Sequence, residues 1–126
     1  MSKPISLEDL VARLSKTQRL MGLDLGTKTI GVAVSDVSRA LASPVETMKR
    51  IKFTQDAQAL LVHVKRYDVG GFVIGLPINM DGSEGPRAQA TRSFIRSMAT
   101  ITDLPFATWD ERLSTVAAER TLIEAD

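Results

Sequence analysis

The chain predicts a mixed α/β fold, a five-stranded sheet whose first three strands are antiparallel, flanked by helices. Three observations predict it. Two apolar stretches from Arg19 to Ser35 are separated only by Gly26-Thr27-Lys28, a link short enough to make them antiparallel neighbours. Further along, apolar positions at helical spacing alternate with short β-type runs, the pattern of a sheet with crossover helices. Between them lies Gly71-Phe72-Val73-Ile74-Gly75-Leu76, an apolar run bounded by glycines, as expected of a buried central strand.

The elements follow in order. Ser6 is a candidate N-cap with Asp9 at the capping-box position, and Leu7, Leu10, Val11 and Leu14 supply the apolar side of a short helix. Strand one runs near Arg19 to Leu25 and strand two near Thr29 to Ser35. Strand three is expected between Leu41 and Met48, and Pro44, which cannot donate to a ladder, places it at an edge or makes Pro44 its first residue. Thr54 is the expected cap of a helix carrying Ala57, Leu60, Leu61 and Val64 at helical spacing; His63 lies off that stripe and reads as a surface or packing histidine. Reaching the glycine-bounded strand through this helix implies a parallel crossover. A polar loop from Pro77 to Pro86 then precedes a helix from Arg87 to Met98, and a last strand, Phe106 to Trp109, runs straight into Asp110-Glu111-Arg112. Trp109 is expected in the core. Ser114 has the character of an N-cap for a final helix from Thr115 towards Ile123, which is expected to be incomplete.

A chain of 126 residues fits one domain with a real core, and no linker, repeat or low-complexity tract divides it. The absence of cysteine excludes disulfides, thiolate metal sites and cysteine nucleophiles. No apolar stretch approaches a membrane span, and Met1-Ser2-Lys3-Pro4 leads into an amphipathic helix rather than a secretory segment, so a cytoplasmic location is expected. The formal charge of +1 gives no bulk argument for nucleic-acid binding. Its distribution is uneven: Lys49, Arg50 and Lys52 form one basic cluster, Lys65-Arg66 a second, and Arg87, Arg92 and Arg96 a third.

The chemistry lies with the carboxylates. Asp24 sits inside a strand, on the face opposite Leu23 and Leu25. A lone Asp among apolar neighbours costs desolvation energy unless a cation, a helix N-terminus or a basic side chain meets it. Glu111, just after the last strand, is distant in sequence, but strand ends of an α/β sheet converge where ligands sit. Two such carboxylates suit Mg²⁺ or Mn²⁺, with water and a substrate phosphate completing the coordination. Asp110 or Asp36 are alternatives for one member of the pair. Lys28 at the hairpin tip is a candidate phosphate contact. Arg112 pairs with Glu111 or contacts phosphate, and Ser114 satisfies the first helical turn. The glycines of the Pro77–Gly85 loop do not match a phosphate-binding P-loop.

Three segments together resemble the YqgF family, also called RuvX-type proteins. They are Gly22-Leu23-Asp24-Leu25-Gly26-Thr27-Lys28 continuing through Gly31-Val32-Ala33-Val34-Ser35-Asp36, then Gly75-Leu76-Pro77 with Asp81-Gly82, and Asp110-Glu111-Arg112-Leu113-Ser114-Thr115. The resemblance covers Leu20 to the last residue. It implies an RNase H-like fold and a metal-dependent nuclease in which Asp24 and Glu111 match two acidic active-site positions that bind Mg²⁺ or Mn²⁺. Lys28 and Arg112 then position phosphate, with Asp110 and Ser114 in support. The implied substrate is precursor 16S ribosomal RNA, trimmed at its 5′ end, or another structured nucleic acid; the family's older association is with four-way DNA junctions. The family also carries an Asp in its terminal helix, and Asp126 does not stand in that motif's context. Two other readings remain beside it: a non-catalytic, nucleic-acid-binding ribosome-assembly factor, and the actin-like ATPases, whose first phosphate motif Asp24-Leu25-Gly26-Thr27 also resembles. Monomer and homodimer are both open, and no membrane partner is implied.

Overall fold

A computed structural model describes residues 4–37 and 42–110. The elements are α1 (Leu7–Arg13), β1 (Arg19–Leu25), β2 (Thr29–Ser35), β3 (Ala42–Lys49), α2 (Phe53–Tyr67), β4 (Val69–Leu76), α3 (Pro86–Met98) and β5 (Phe106–Asp110). One five-stranded sheet has the order β3-β2-β1-β4-β5. β1 is antiparallel to β2 and β2 to β3, whereas β4 is parallel to both β1 and β5. The mixed sheet and its first three antiparallel strands are therefore as the sequence predicts.

One face of the sheet carries the core. Met21, Leu23 and Leu25 of β1, Ile30, Val32 and Val34 of β2, and Phe72 and Ile74 of β4 pack with Ala57 and Leu60 of α2 and with Phe94, Ile95 and Met98 of α3. Phe72 is fully buried and its ring stacks on Phe106 of β5 with centroids 4.6 Å apart. Alternation explains the selection, since each strand gives every second side chain to this layer.

β3 starts before Pro44 and is an edge strand, the first of the two places Pro44 allows, and the register slips between Val32 and Ala33 where Pro44 enters the ladder. Ser6 caps α1 by accepting from the Asp9 N–H at 3.1 Å. This helix lies close over β4: a Cβ at Gly71 would collide with the Leu10 side chain, so the glycine allows the close approach.

Two expectations are corrected. α2 begins at Phe53 with Lys52 at the cap position, not with a Thr54 cap. The N-terminal turn is secured from within, where Asp56 Oδ1 accepts from the Ile51 N–H at 3.2 Å. Trp109 is half-buried and lines a groove on the sheet face opposite the core layer. The expected cap Ser114 and the final helix lie outside the described residues.

Candidate functional site

Asp24 is the penultimate residue of β1, and the alternation that buries Leu23 and Leu25 turns its carboxylate to the other face, where it is exposed. The desolvation expected of an Asp among apolar neighbours is absent because that face is an open groove of about 710 Å³. Register explains the open space. Gly31 stands opposite Asp24 on β2. On the other side Leu23 pairs with Ile74, which brings Gly75 of β4 alongside Asp24, and Gly75 pairs with Trp109 of β5. The carboxylate is thus flanked by two strand positions without side chains, with the indole ring two strands away, roughly 10 Å across the sheet.

Asp110 ends β5, paired with Leu76 at the end of β4. It is one residue beyond Trp109, so both strands that bear the acidic motifs finish at the same end of the sheet. Glu111, Arg112 and Ser114 lie outside the described residues. Asp36 is not brought to Asp24. It follows Ser35, whose Oγ accepts from the Leu20 N–H at 2.9 Å near the start of β1, the opposite end of the strand. Among the described residues no group of three or more His, Cys, Asp or Glu side chains could hold a metal ion. Asp24 supplies one hard oxygen donor with open space before it, which fits a share in Mg²⁺ or Mn²⁺ coordination but does not complete a site.

Two arginines that the sequence marks only as members of basic clusters secure the turn after Asp24. Arg87, in the first turn of α3, donates from Nη2 to the Leu25 carbonyl at 3.0 Å. Arg50, just past β3, donates from Nη1 to the Gly26 carbonyl at 2.7 Å, and its N–H donates to the Lys28 carbonyl at 2.9 Å. Successive carbonyls of the β1–β2 turn are therefore held from two different elements. No periodicity or spacing signals such long-range side-chain contacts to backbone. Lys28 is exposed at the turn, as expected.

The loop from Pro77 to Gly85 is built by its own polar groups. Asp81 Oδ1 accepts from the Ser83 N–H at 2.9 Å and from Ser83 Oγ at 2.6 Å, Asn79 N–H donates to the Ser83 carbonyl at 2.9 Å, and Gly82 takes φ +88°, a value that suits glycine. Glu84 closes it through a two-pronged contact with Arg92 of α3 at 2.6 and 2.7 Å. The hydrogen bond from Arg92 holds the Glu84 carboxyl below its ordinary range, against a smaller opposing effect of burial. His63 bonds Glu46 of β3 through Nε2 at 2.9 Å, which fixes it as a packing histidine.

A sheet of order β3-β2-β1-β4-β5, with three antiparallel strands and then two parallel ones, defines an RNase H-like α/β protein. The same architecture appears in T. thermophilus RuvC, solved in complex with Holliday junction substrate. That structure aligns with a TM-score of 0.53 at 12% identity, over 74% of this chain and 64% of the other. The chain belongs to the RuvX family, described as Holliday junction resolvase, whose model matches residues 18–126. Among curated relatives, a Rhizobium meliloti protein named "Putative pre-16S rRNA nuclease" is 59% identical over 97% of this chain and 74% of its own length. A protein of the same name from Agrobacterium fabrum is 62% identical over 97% of this chain and 77% of its length. One from Paramagnetospirillum magneticum is 60% identical over 94% and 76% respectively. No helix among the described residues is long and apolar enough to cross a membrane.

Proposed function

We propose that this protein is a metal-dependent phosphodiester hydrolase acting in maturation of the 5′ end of precursor 16S ribosomal RNA. The observation that carries this reading is the placement of Asp24: an exposed carboxylate at the end of β1, flanked by Gly31 and Gly75, in an open groove on the sheet. The family's nuclease character and the name shared by the relatives support the choice of chemistry and substrate.

In this reading Asp24 and Glu111 hold Mg²⁺ or Mn²⁺. The bound ion would supply Lewis-acid stabilisation of the phosphodiester charge and a more acidic attacking water. The protein's own part is placement. The two glycines leave room for substrate backbone beside Asp24, and the turn secured by Arg50 and Arg87 fixes the end of β1. Lys28 and Arg112 neutralise phosphate charge as the backbone enters, while Asp110 and Ser114 support the segment that bears Glu111. The protein is read as cytoplasmic, where its substrate is.

The description of the family as Holliday junction resolvase favours a second reading, cleavage of four-way DNA junctions. Both are tested by incubating the full chain and Asp24→Asn with 5′-extended 16S precursor RNA or a four-way junction, with Mg²⁺, Mn²⁺ or chelator. RNA cleavage that needs both the metal and Asp24 supports the proposal. Junction cleavage alone selects the second reading. Binding of RNA without turnover by folded protein selects a ribosome-assembly role.

A further inference from the structure

Lys28, Lys49, Arg50, Lys52 and Arg87 come from four separate places in the chain's architecture. Lys28 lies in the β1–β2 turn, Lys49 ends β3, Arg50 and Lys52 lead into α2, and Arg87 opens α3. The fold gathers them. Lys49 pairs with Thr29 next to the turn, Arg50 bonds both the Gly26 and Lys28 carbonyls, and Arg87 bonds the Leu25 carbonyl. All five side chains are exposed, and none forms an ion pair with a described acidic residue. The neighbouring carboxylate of Asp56 is buried and accepts from the Ile51 backbone N–H. The result is a cationic rim along the end of the sheet where Asp24 lies, in a protein whose formal charge is only +1.

We propose that this rim is the landing surface for the phosphate backbone of a structured RNA, which it leads to Asp24 from the β3 side of the groove. This rests on the nuclease reading for its choice of nucleic acid, and gives that reading a direction of approach. Charge complementarity is the argument: a row of unpaired cations attracts a polyanion by releasing its counterions, and does so without reading sequence. Arg50 and Arg87 each spend one donor on a backbone carbonyl. A guanidinium carries five N–H donors, so each can hold the turn and meet a phosphate as well. Lys49 and Lys52 are free point charges at the outer end of the rim. The far end of the molecule bears Lys16, ahead of β1, and Lys65 in the last turn of α2; these stand outside the rim.

The test measures the salt dependence of binding in chelator, so that turnover plays no part. The full chain, the double variant Lys49→Gln/Lys52→Gln and the charge-matched control Lys16→Gln/Lys65→Gln are titrated with 5′-extended 16S precursor RNA and, in parallel, a four-way DNA junction. Thermal melts verify that each variant is folded. Loss of two phosphate contacts should reduce the slope of log affinity against log salt by about 2 for the rim variant, with the control unchanged. Equal slopes for the two double variants would overturn the proposal, since bulk charge would then explain binding. A rim-dependent slope with the junction but not with RNA would overturn the assignment to RNA. A rim-dependent slope with RNA in a protein that cleaves nothing would uphold the rim while removing the nuclease reading.

Discussion

Gly31 stands directly opposite Asp24 in the β1–β2 ladder, and a Cβ at that glycine would lie 3.4 Å from the Asp24 Cβ. That distance is ordinary contact for a methyl group, but a branched side chain would crowd the carboxylate. Gly31→Ala should leave stability unchanged or raise it by about 0.5 kcal/mol, since strand glycine is entropically unfavourable. Under the proposed nuclease function, Gly31→Val should retain the fold yet lower metal-dependent cleavage by about tenfold or more through displacement of Asp24. Urea denaturation and cleavage rates on precursor RNA check the two arms; loss of folding in Gly31→Val would sink the argument.

Close packing of α1 on β4 gives a second expectation. Gly71→Ala places its methyl against the Leu10 side chain at a separation that cannot be kept, so the fully buried leucine must repack, at a cost of about 1–3 kcal/mol. Leu10→Ala alone should cost about 2–5 kcal/mol because Leu10 is fully buried. The double variant should cost clearly less than the sum, since the two side chains compete for one space. Additive losses in denaturant titrations would show that the two positions are independent.

Phe72 and Phe106 join β4 to β5 through stacked rings, and β5 leads into the late acidic motif. Phe72→Ala should destabilise the protein by about 3–5 kcal/mol. Hydrogen exchange should show faster opening of β5 amides than of β2 amides in this variant. Uniform acceleration across the sheet would contradict a local role.

The Glu84–Arg92 contact supplies a pH dependence. Glu84 has a depressed pKa in the folded protein, so its stabilising contribution is present above the ordinary Glu value and is lost as pH falls through the folded value. Wild type should therefore be more stable than Glu84→Gln at neutral pH, with the difference closing below about pH 4. Both side chains are about a third exposed (35% and 32%), so added salt should shrink the effect. Thermal melts at several pH and salt values check this; a difference that grows on acidification would refute it.

What the sequence by itself determined is local and periodic. Alternation around Asp24 set its face, the three-residue link fixed the antiparallel hairpin, and Pro44 limited β3 to an edge or to a start at that residue, because each follows from backbone geometry within a few residues. The family motifs suggested the chemistry proposed above for Asp24 and Glu111, which the described residues do not test. The tertiary structure decided what depends on distant partners. It set Gly31 and Gly75 beside Asp24 and turned Trp109 to the groove. It moved the cap of α2 from Thr54 to Lys52, and separated Asp36 from Asp24 by the length of a strand. It also brought Arg50 and Arg87 to the carbonyls after Asp24. A long side chain reaching a backbone oxygen leaves no period in the sequence; only the register of paired strands and the packing of helices on them select its partner.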